Sequence, residues 1–182
     1  MYTPLPSPHP LRQFIYCPAC GAGGFRAGNE KAKTCDVCGF VYYFNPSASV
    51  ACFMKNSKGE LLLVRRAKEP ASGTLDLPGG FADAHETAEE AVLREMEEET
   101  GIRPAGCRYL FSLPNIYPYK GFEVHTLDLF FECHVIDFDD ATAGDDAAGI
   151  VVLPARDLNP DDFGLSSIRK AIRIYKVTNP GV

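Results

Sequence analysis

The sequence predicts an α/β protein: a mixed sheet covered by helices, preceded by a small β module. Three observations carry that expectation. Apolar runs with strand character recur along the chain. A helical pattern interrupts them at the centre and another closes the chain. Two Cys-x2-Cys pairs stand ahead of all of these. The 182 residues suffice for one full core and a small appendage, and 46% hydrophobic with 23% charged residues is ordinary globular composition.

Residues 1–14, with prolines at 4, 6, 8 and 10, read as an extended tail without the apolar centre of a signal peptide. A cytoplasmic protein is therefore the default expectation. In residues 15–45, Cys17-x2-Cys20 and Cys35-x2-Cys38 are separated by 14 residues, close to the zinc-ribbon pattern. Four thiolates can surround a zinc ion tetrahedrally at about 2.3 Å. Gly21 and Gly39 each follow the second cysteine of a pair, where a tight turn favours a residue that tolerates positive φ. A module this short needs its metal to hold together. The alternatives are a metal-free ribbon or a redox pair. Cys52, Cys107 and Cys133 have no partner spacing and read as buried free thiols.

Residues 46–182 form the second expected domain. "SVACFM" and "ELLLVRRA" flank "KNSKG" as a hairpin, and residues 70–86 read as loop around a short strand. Thr87 to Thr100 is the strongest helix signal, with Gly101 as its stop. Strands are expected around Cys107–Ser112 and Val124–Ile136, then an acidic loop and a short buried strand, "IVVLP". A final helix places Ile168, Ile172 and Tyr175 on one face. The net charge of −6 argues against a broad basic surface for nucleic acid, and no apolar run approaches the roughly 20 residues of a membrane helix.

The central helix raises a physical problem. Four of the five residues from Glu95 to Glu99 are acidic, and like charges three and four apart repel. At about 100° per residue, Ala88, Ala91, Val92, Glu98 and Glu99 all fall within about 60° of Glu95. A packing stripe therefore runs into three carboxylates. Either some are protonated or a divalent cation sits among them, and oxygen ligands favour Mg²⁺ or Mn²⁺.

Around this helix, Gly80, then five residues to Glu86, then seven to Arg94-Glu95-Met96-Glu97-Glu98-Glu99-Thr100-Gly101-Ile102, resembles the Nudix box with all nine specified positions filled. The resemblance implies a loop–helix–loop site on an α/β/α sandwich that hydrolyses a nucleoside-linked diphosphate. It implies Glu95, Glu98 and Glu99 as metal ligands with the Gly80 carbonyl. Arg94 would orient the cluster and Glu86 would support the loop, while the general base stays open. In "LDLPGG", Pro78 fixes the turn and Gly79-Gly80 permit close approach.

The cysteine module ahead of such a domain resembles the NADH pyrophosphatase branch. That implies NADH or NAD, or a nucleotide-sugar such as ADP-ribose, as the small-molecule substrate, with NAD-capped RNA taken by some members. That branch carries Ser-Gln-Pro-Trp-Pro-Phe-Pro where this chain has Ser112-Leu113-Pro114-Asn115-Ile116-Tyr117-Pro118 and no tryptophan. Stacking would then fall to Phe111, Tyr117, Tyr119 or Phe122. Arg65 and Arg66 could meet a phosphate. The branch's late glutamate has Ala147 and Ala148 in its place, leaving Asp145, Asp146, Glu123 or Glu132 as substitutes. Competing readings are a house-cleaning hydrolase of nucleoside triphosphates and a non-catalytic nucleotide- or RNA-binding domain. The ribbon's Arg26, Lys31 and Lys33 against Glu30 and Asp36 give only a slight positive excess, which suits a structural element, with a homodimer interface as one place for it.

Overall fold

The computed structural model describes Leu5, residues 9–144 and residues 147–179. Contacts divide the chain into two compact units, Met1–Pro46 with Ile116–His125, and Ser47–Asn115 with Thr126–Val182.

The small unit holds β1 (Phe25–Asn29), β2 (Ala32–Cys35) and β3 (Val41–Tyr43) as one antiparallel sheet. Its apolar centre is small: Cys17, Phe25 and Cys35 are its buried members, with Phe14, Ala22 and Tyr42 packed on them. The tip of a later hairpin completes it. Phe14 stacks on Phe122 at 6.0 Å, Gln13 donates to the Gly121 carbonyl at 3.0 Å, and His125 meets the Phe44 ring at 5.2 Å. Lys33 is buried, its Nζ donating to the carbonyls of Leu11 and Phe14, and Arg26 pairs with Asp36 at 2.6 Å. Burial pulls the Lys33 ammonium below its ordinary pKa. The slight positive excess counted in the ribbon sequence is therefore not an open basic surface.

In the large unit, β4 (Ser47–Lys55) and β5 (Glu60–Arg66) form the expected hairpin. The side-chain oxygen of Asn56 accepts from the N–H groups of Lys58 and Glu60 and so closes the turn. Then follow β6 (Leu75–Asp76), β7 (Gly79–Phe81), α1 (Ala88–Thr100), β8 (Cys107–Tyr119), β9 (Phe122–His134), β10 (Ala147–Pro154) and α2 (Ser166–Thr178). The sheet order is β10-β5-β4-β9-β8, with β6 on β5 and β7 on β4; β4 and β9 run parallel. Alternation along β4 sends Ala51 and Phe53 to the α2 side and Val50, Cys52 and Met54 to the α1 side. Phe53 stacks flat on Tyr175 of α2 at 4.0 Å. Ile168, Ile172 and Tyr175 are buried as their spacing required, and helices cover both faces, the α/β/α arrangement.

Two strands depart from expectation. β8 does not stop near Ser112 but continues through Pro114 and Pro118 to Tyr119. It is an edge strand, where a missing N–H breaks no ladder on the free side. Lys120 and Gly121, with φ of 48° and 79°, then form the two-residue turn into β9. The "IVVLP" strand is not deeply buried either: β10 is the opposite edge, and Val152 is 40% exposed. Cys52 and Cys133 are fully buried and Cys107 is partly so, all three as free thiols.

Candidate active site

Thr87 caps α1 in a reciprocal box: its side chain accepts from Glu90 N–H, and the Glu90 carboxylate accepts from Thr87 N–H. Gly101 ends the helix in the left-handed conformation, φ 72°. The stripe that packs on the sheet is Ala91, Val92, Met96 and Thr100, which differs from the expected one. Met96 fills the position four residues beyond Val92, and the three carboxylates flank the stripe instead of continuing it.

At the centre of the site lies Arg94, and all five of its N–H donors are used. Nε donates to Glu86 at 2.8 Å, and Nη2 donates to Glu86 at 2.9 Å and to the Phe81 carbonyl at 3.1 Å. Nη1 donates to Glu95 at 2.9 Å and to Glu98 at 3.1 Å. Glu86 also accepts from Asp83 N–H at 2.9 Å. The hydrogen bonds from Arg94, then that from Asp83, hold the Glu86 carboxyl down to about 2. These carboxylates in turn push the Arg94 pKa above its ordinary value, against partial burial. Burial raises the Glu95 carboxyl despite Arg94, and the charges of Glu98 and Glu86 add to the rise.

Glu99 faces the other way along the loop and accepts from Gly79 N–H at 2.9 Å. Both glycines answer to crowding: a Cβ on Gly80 would overlap the Glu95 carboxylate, and one on Gly79 would strike the Val50 carbonyl. Glu95 and Glu98 thus meet on Arg94, while Glu99 holds the glycine loop. Among the described residues, the four ribbon cysteines are the one group of three or more potential ligands within 4.8 Å of one another. As the helix stands, Arg94 supplies the compensating positive charge among these acids.

The remaining sequence candidates scatter. Arg65 donates to the Gly73 carbonyl at 2.7 Å, and Arg66 is bound to Asp76 at 2.6 Å and to the Pro70 carbonyl at 2.8 Å. Phe111 stacks on Phe130 at 5.1 Å and packs against the core. Tyr117, Tyr119 and Phe122 belong to the small unit, where Lys120 lies over the half-exposed Tyr119 ring. Glu123, also there, lies 3.9 Å from His125. Glu132 is buried and already engaged, accepting from Arg108 at 2.8 Å, Tyr175 at 2.9 Å and His134 at 3.0 Å. Burial alone would raise its pKa, but these three partners outweigh it and hold the carboxyl low. A carboxylate so occupied is not a free late ligand. Asp145 and Asp146 lie outside the described residues.

Sequence reading passed over Asp76, which links the strap at residues 67–74 to the glycine loop through Arg66 and through its bond from Leu77 N–H at 2.9 Å. Its place inside an apolar run, "LDLP", was the available signal. Burial raises its carboxyl to about 6 from 3.8, with Arg66 opposing. Between those values the folded chain holds a proton that the unfolded chain has lost, so this group's contribution to stability falls as pH rises from about 4 to about 6. Relative to Asp76→Asn, wild-type stability should drop by on the order of 2–3 kcal/mol across that interval, measured by urea unfolding at a series of pH values.

His85 has φ 71°, a left-handed conformation costly for any residue with a Cβ. His85→Gly should raise stability by about 1 kcal/mol in the same assay. A decrease would mean that the imidazole makes a stabilising contact that outweighs the strain.

In the small unit, Cys17 Sγ lies 3.7 Å from Cys38 Sγ, and Cys20 Sγ lies 3.6 Å from Cys35 Sγ. Those separations are far beyond a disulfide and close to the roughly 3.8 Å edge of a sulfur tetrahedron with bonds of about 2.3 Å. Gly21 and Gly39 both have φ of 75°, and each donates its N–H to the carbonyl of the first cysteine of its pair.

The NUDIX domain family model matches residues 45–172. The chain belongs to the Nudix family. It is 34% identical over 126 residues to an ADP-ribose pyrophosphatase of Methanocaldococcus jannaschii, covering 68% of this chain and 71% of that one. It is 32% identical over 110 residues to an NAD-capped RNA hydrolase of Photobacterium profundum, covering 60% of this chain and 41% of that one. The chain thus spans about two-fifths of the length of that second relative. A Nudix hydrolase structure from Nitrosomonas europaea shares the fold, with a TM-score of 0.68 at 20% identity, covering 91% of this chain and 92% of that one. This Nudix chain has no helix among its described residues long and apolar enough to cross a membrane.

Proposed function

We propose that this Nudix hydrolase cleaves the diphosphate bond of a nucleoside diphosphate linked to a second moiety, with ADP-ribose or NADH/NAD as substrate and AMP as a product. The observation that carries the reading is the Arg94-centred cluster of Glu86, Glu95 and Glu98 against the glycine loop. The relative named ADP-ribose pyrophosphatase supports the substrate class.

Glu95, Glu98, Glu99 and the Gly80 carbonyl present oxygen donors only, a set that fits Mg²⁺ or Mn²⁺. Such a cation, when bound, supplies charge neutralisation at the diphosphate and acidifies water. The chain's own residues do the rest. Arg94 fixes the rotamers of Glu86, Glu95 and Glu98; Glu86 ties the loop at Phe81–Asp83 to the helix; Glu99 holds Gly79. A cluster carboxylate accepts the proton of the attacking water. Water oxygen joins one phosphorus and the bridging bond breaks, giving AMP and ribose 5-phosphate from ADP-ribose. Tyr117 and Tyr119 remain candidates for stacking, and Arg65 for a phosphate once it releases the Gly73 carbonyl. Cys17, Cys20, Cys35 and Cys38 would hold a structural Zn²⁺, for which their sulfur spacing is suited.

The test is product analysis with Mg²⁺ over NADH, NAD, ADP-ribose, diadenosine polyphosphates and nucleoside triphosphates. AMP from the dinucleotide or nucleotide-sugar substrates is expected. Pyrophosphate from nucleoside triphosphates alone would sink the reading in favour of a house-cleaning role.

A further inference from the structure

Phe81, Ser49 and Asp128 form one row across three adjacent strands. Ser49 of β4 is the register partner of Phe81 in β7 and of Asp128 in β9. Register partners point to the same face of a sheet. Phe81 directly follows Gly80, so Asp128 stands two strand spacings, about 10 Å, from the glycine loop. That is about the length of a nucleotide. The row lies one step beyond the core: Ala51 and Phe130, the next residues on this face, are packed with α2, whereas Phe81 is 45% exposed.

Asp128 is 7% exposed and makes no ion pair among the described residues. Ser49 Oγ and Thr126 Oγ1 both donate to the same oxygen, Oδ1, each at 2.5 Å. Its other oxygen, Oδ2, has no partner among the described residues, and it is not one of the fully enclosed unpartnered atoms. Oδ2 is therefore within reach of solvent, and a ligand that brings a donor can take the place of water on it. The two hydroxyls orient the group and leave one acceptor directed for use.

We infer that Asp128 is a specificity-determining residue that accepts a hydrogen bond through Oδ2 from the nucleoside half of the substrate, with the exocyclic amine of adenine as the donor. The inference takes its substrate class from the proposed function, but binding of the mononucleotide product requires no turnover. Failure of hydrolysis and failure of Asp128 are therefore separable.

Calorimetric binding of AMP and IMP to wild type and Asp128→Asn is the test, with the 2′- and 3′-deoxy forms of AMP as further arms. In Asp128→Asn the amide oxygen can keep both hydroxyl bonds, and the amide NH₂ takes the place of Oδ2. Wild type should favour AMP over IMP roughly tenfold, and the variant should lose or reverse that preference with its melting temperature little changed. If a deoxy arm weakens wild type and not the variant while AMP and IMP bind alike, the donor is a ribose hydroxyl and the adenine assignment is overturned. Equal binding of all four ligands by wild type would overturn the inference, whether or not the variant folds. An unchanged AMP-to-IMP ratio in Asp128→Asn, or in Asp128→Ala if the first variant is unfolded, would overturn it too.

Discussion

Arg94→Ala should be the most damaging single change in the large unit. It strands Glu86 and Glu95, whose side chains are only 14% and 12% exposed, without the guanidinium that binds both. Removing the shared partner leaves carboxylates that lie close together without a compensating charge, which destabilises the fold. The loss should register in urea unfolding. Turnover should fall roughly 100-fold, as when a group that orients metal ligands is removed. Arg94→Lys separates the two effects. A lysine restores a positive charge but cannot make the five bonds of the fork, so stability should recover further than activity. Equal recovery of both would show that Arg94 acts as charge alone.

The second large effect concerns the cysteines. Replacing Cys35 by serine, or stripping metal with a chelator, should unfold the ribbon, because its apolar centre rests on three buried residues. Structural zinc sites supply on the order of 10 kcal/mol to modules of this size. Amide resonances of residues 17–44 should collapse to random-coil positions, while those of α1 and the central sheet persist. Elemental analysis should find one zinc per chain. A ribbon that keeps its dispersed resonances in chelator, with four titratable thiols, would show that packing alone holds it.

What could be read in advance follows from how each feature is encoded. Gly80, Glu86, Arg94, Glu95, Glu98 and Glu99 were legible because the loop and helix fix them by spacing along one continuous segment. So were the two cysteine pairs, whose knuckles are local turns. The α2 stripe followed from periodicity, whereas the Phe53–Tyr175 stack joins β4 to α2 across the chain and no local pattern states it. Other features depend on partners far away in the chain. Whether prolines 114 and 118 end a strand depends on its place at the sheet edge, which no local pattern states. Lys33 reads as a surface charge until Leu11 and Phe14 enclose it, and Glu132 as a spare acid until Arg108, Tyr175 and His134 claim it. The stripe on α1 was misjudged because Met96 sits among acids, where composition hides its packing role. Asp76 and Asp128 each show as a polar residue in an apolar strand, a signal that marks a buried contact without naming the partner.

One measurement tests the central claim most directly: AMP released from ADP-ribose with Mg²⁺, by wild type and Glu98→Gln side by side. Glu98 is the most exposed of the cluster, with its side chain 60% open, so its amide should leave the fold intact. Mg²⁺-dependent AMP from wild type, with at least a roughly 100-fold loss in the variant at unchanged melting temperature, is the expected result. Equal rates from the two proteins would contradict it, because the hydrolysis would then not depend on the carboxylates gathered around Arg94.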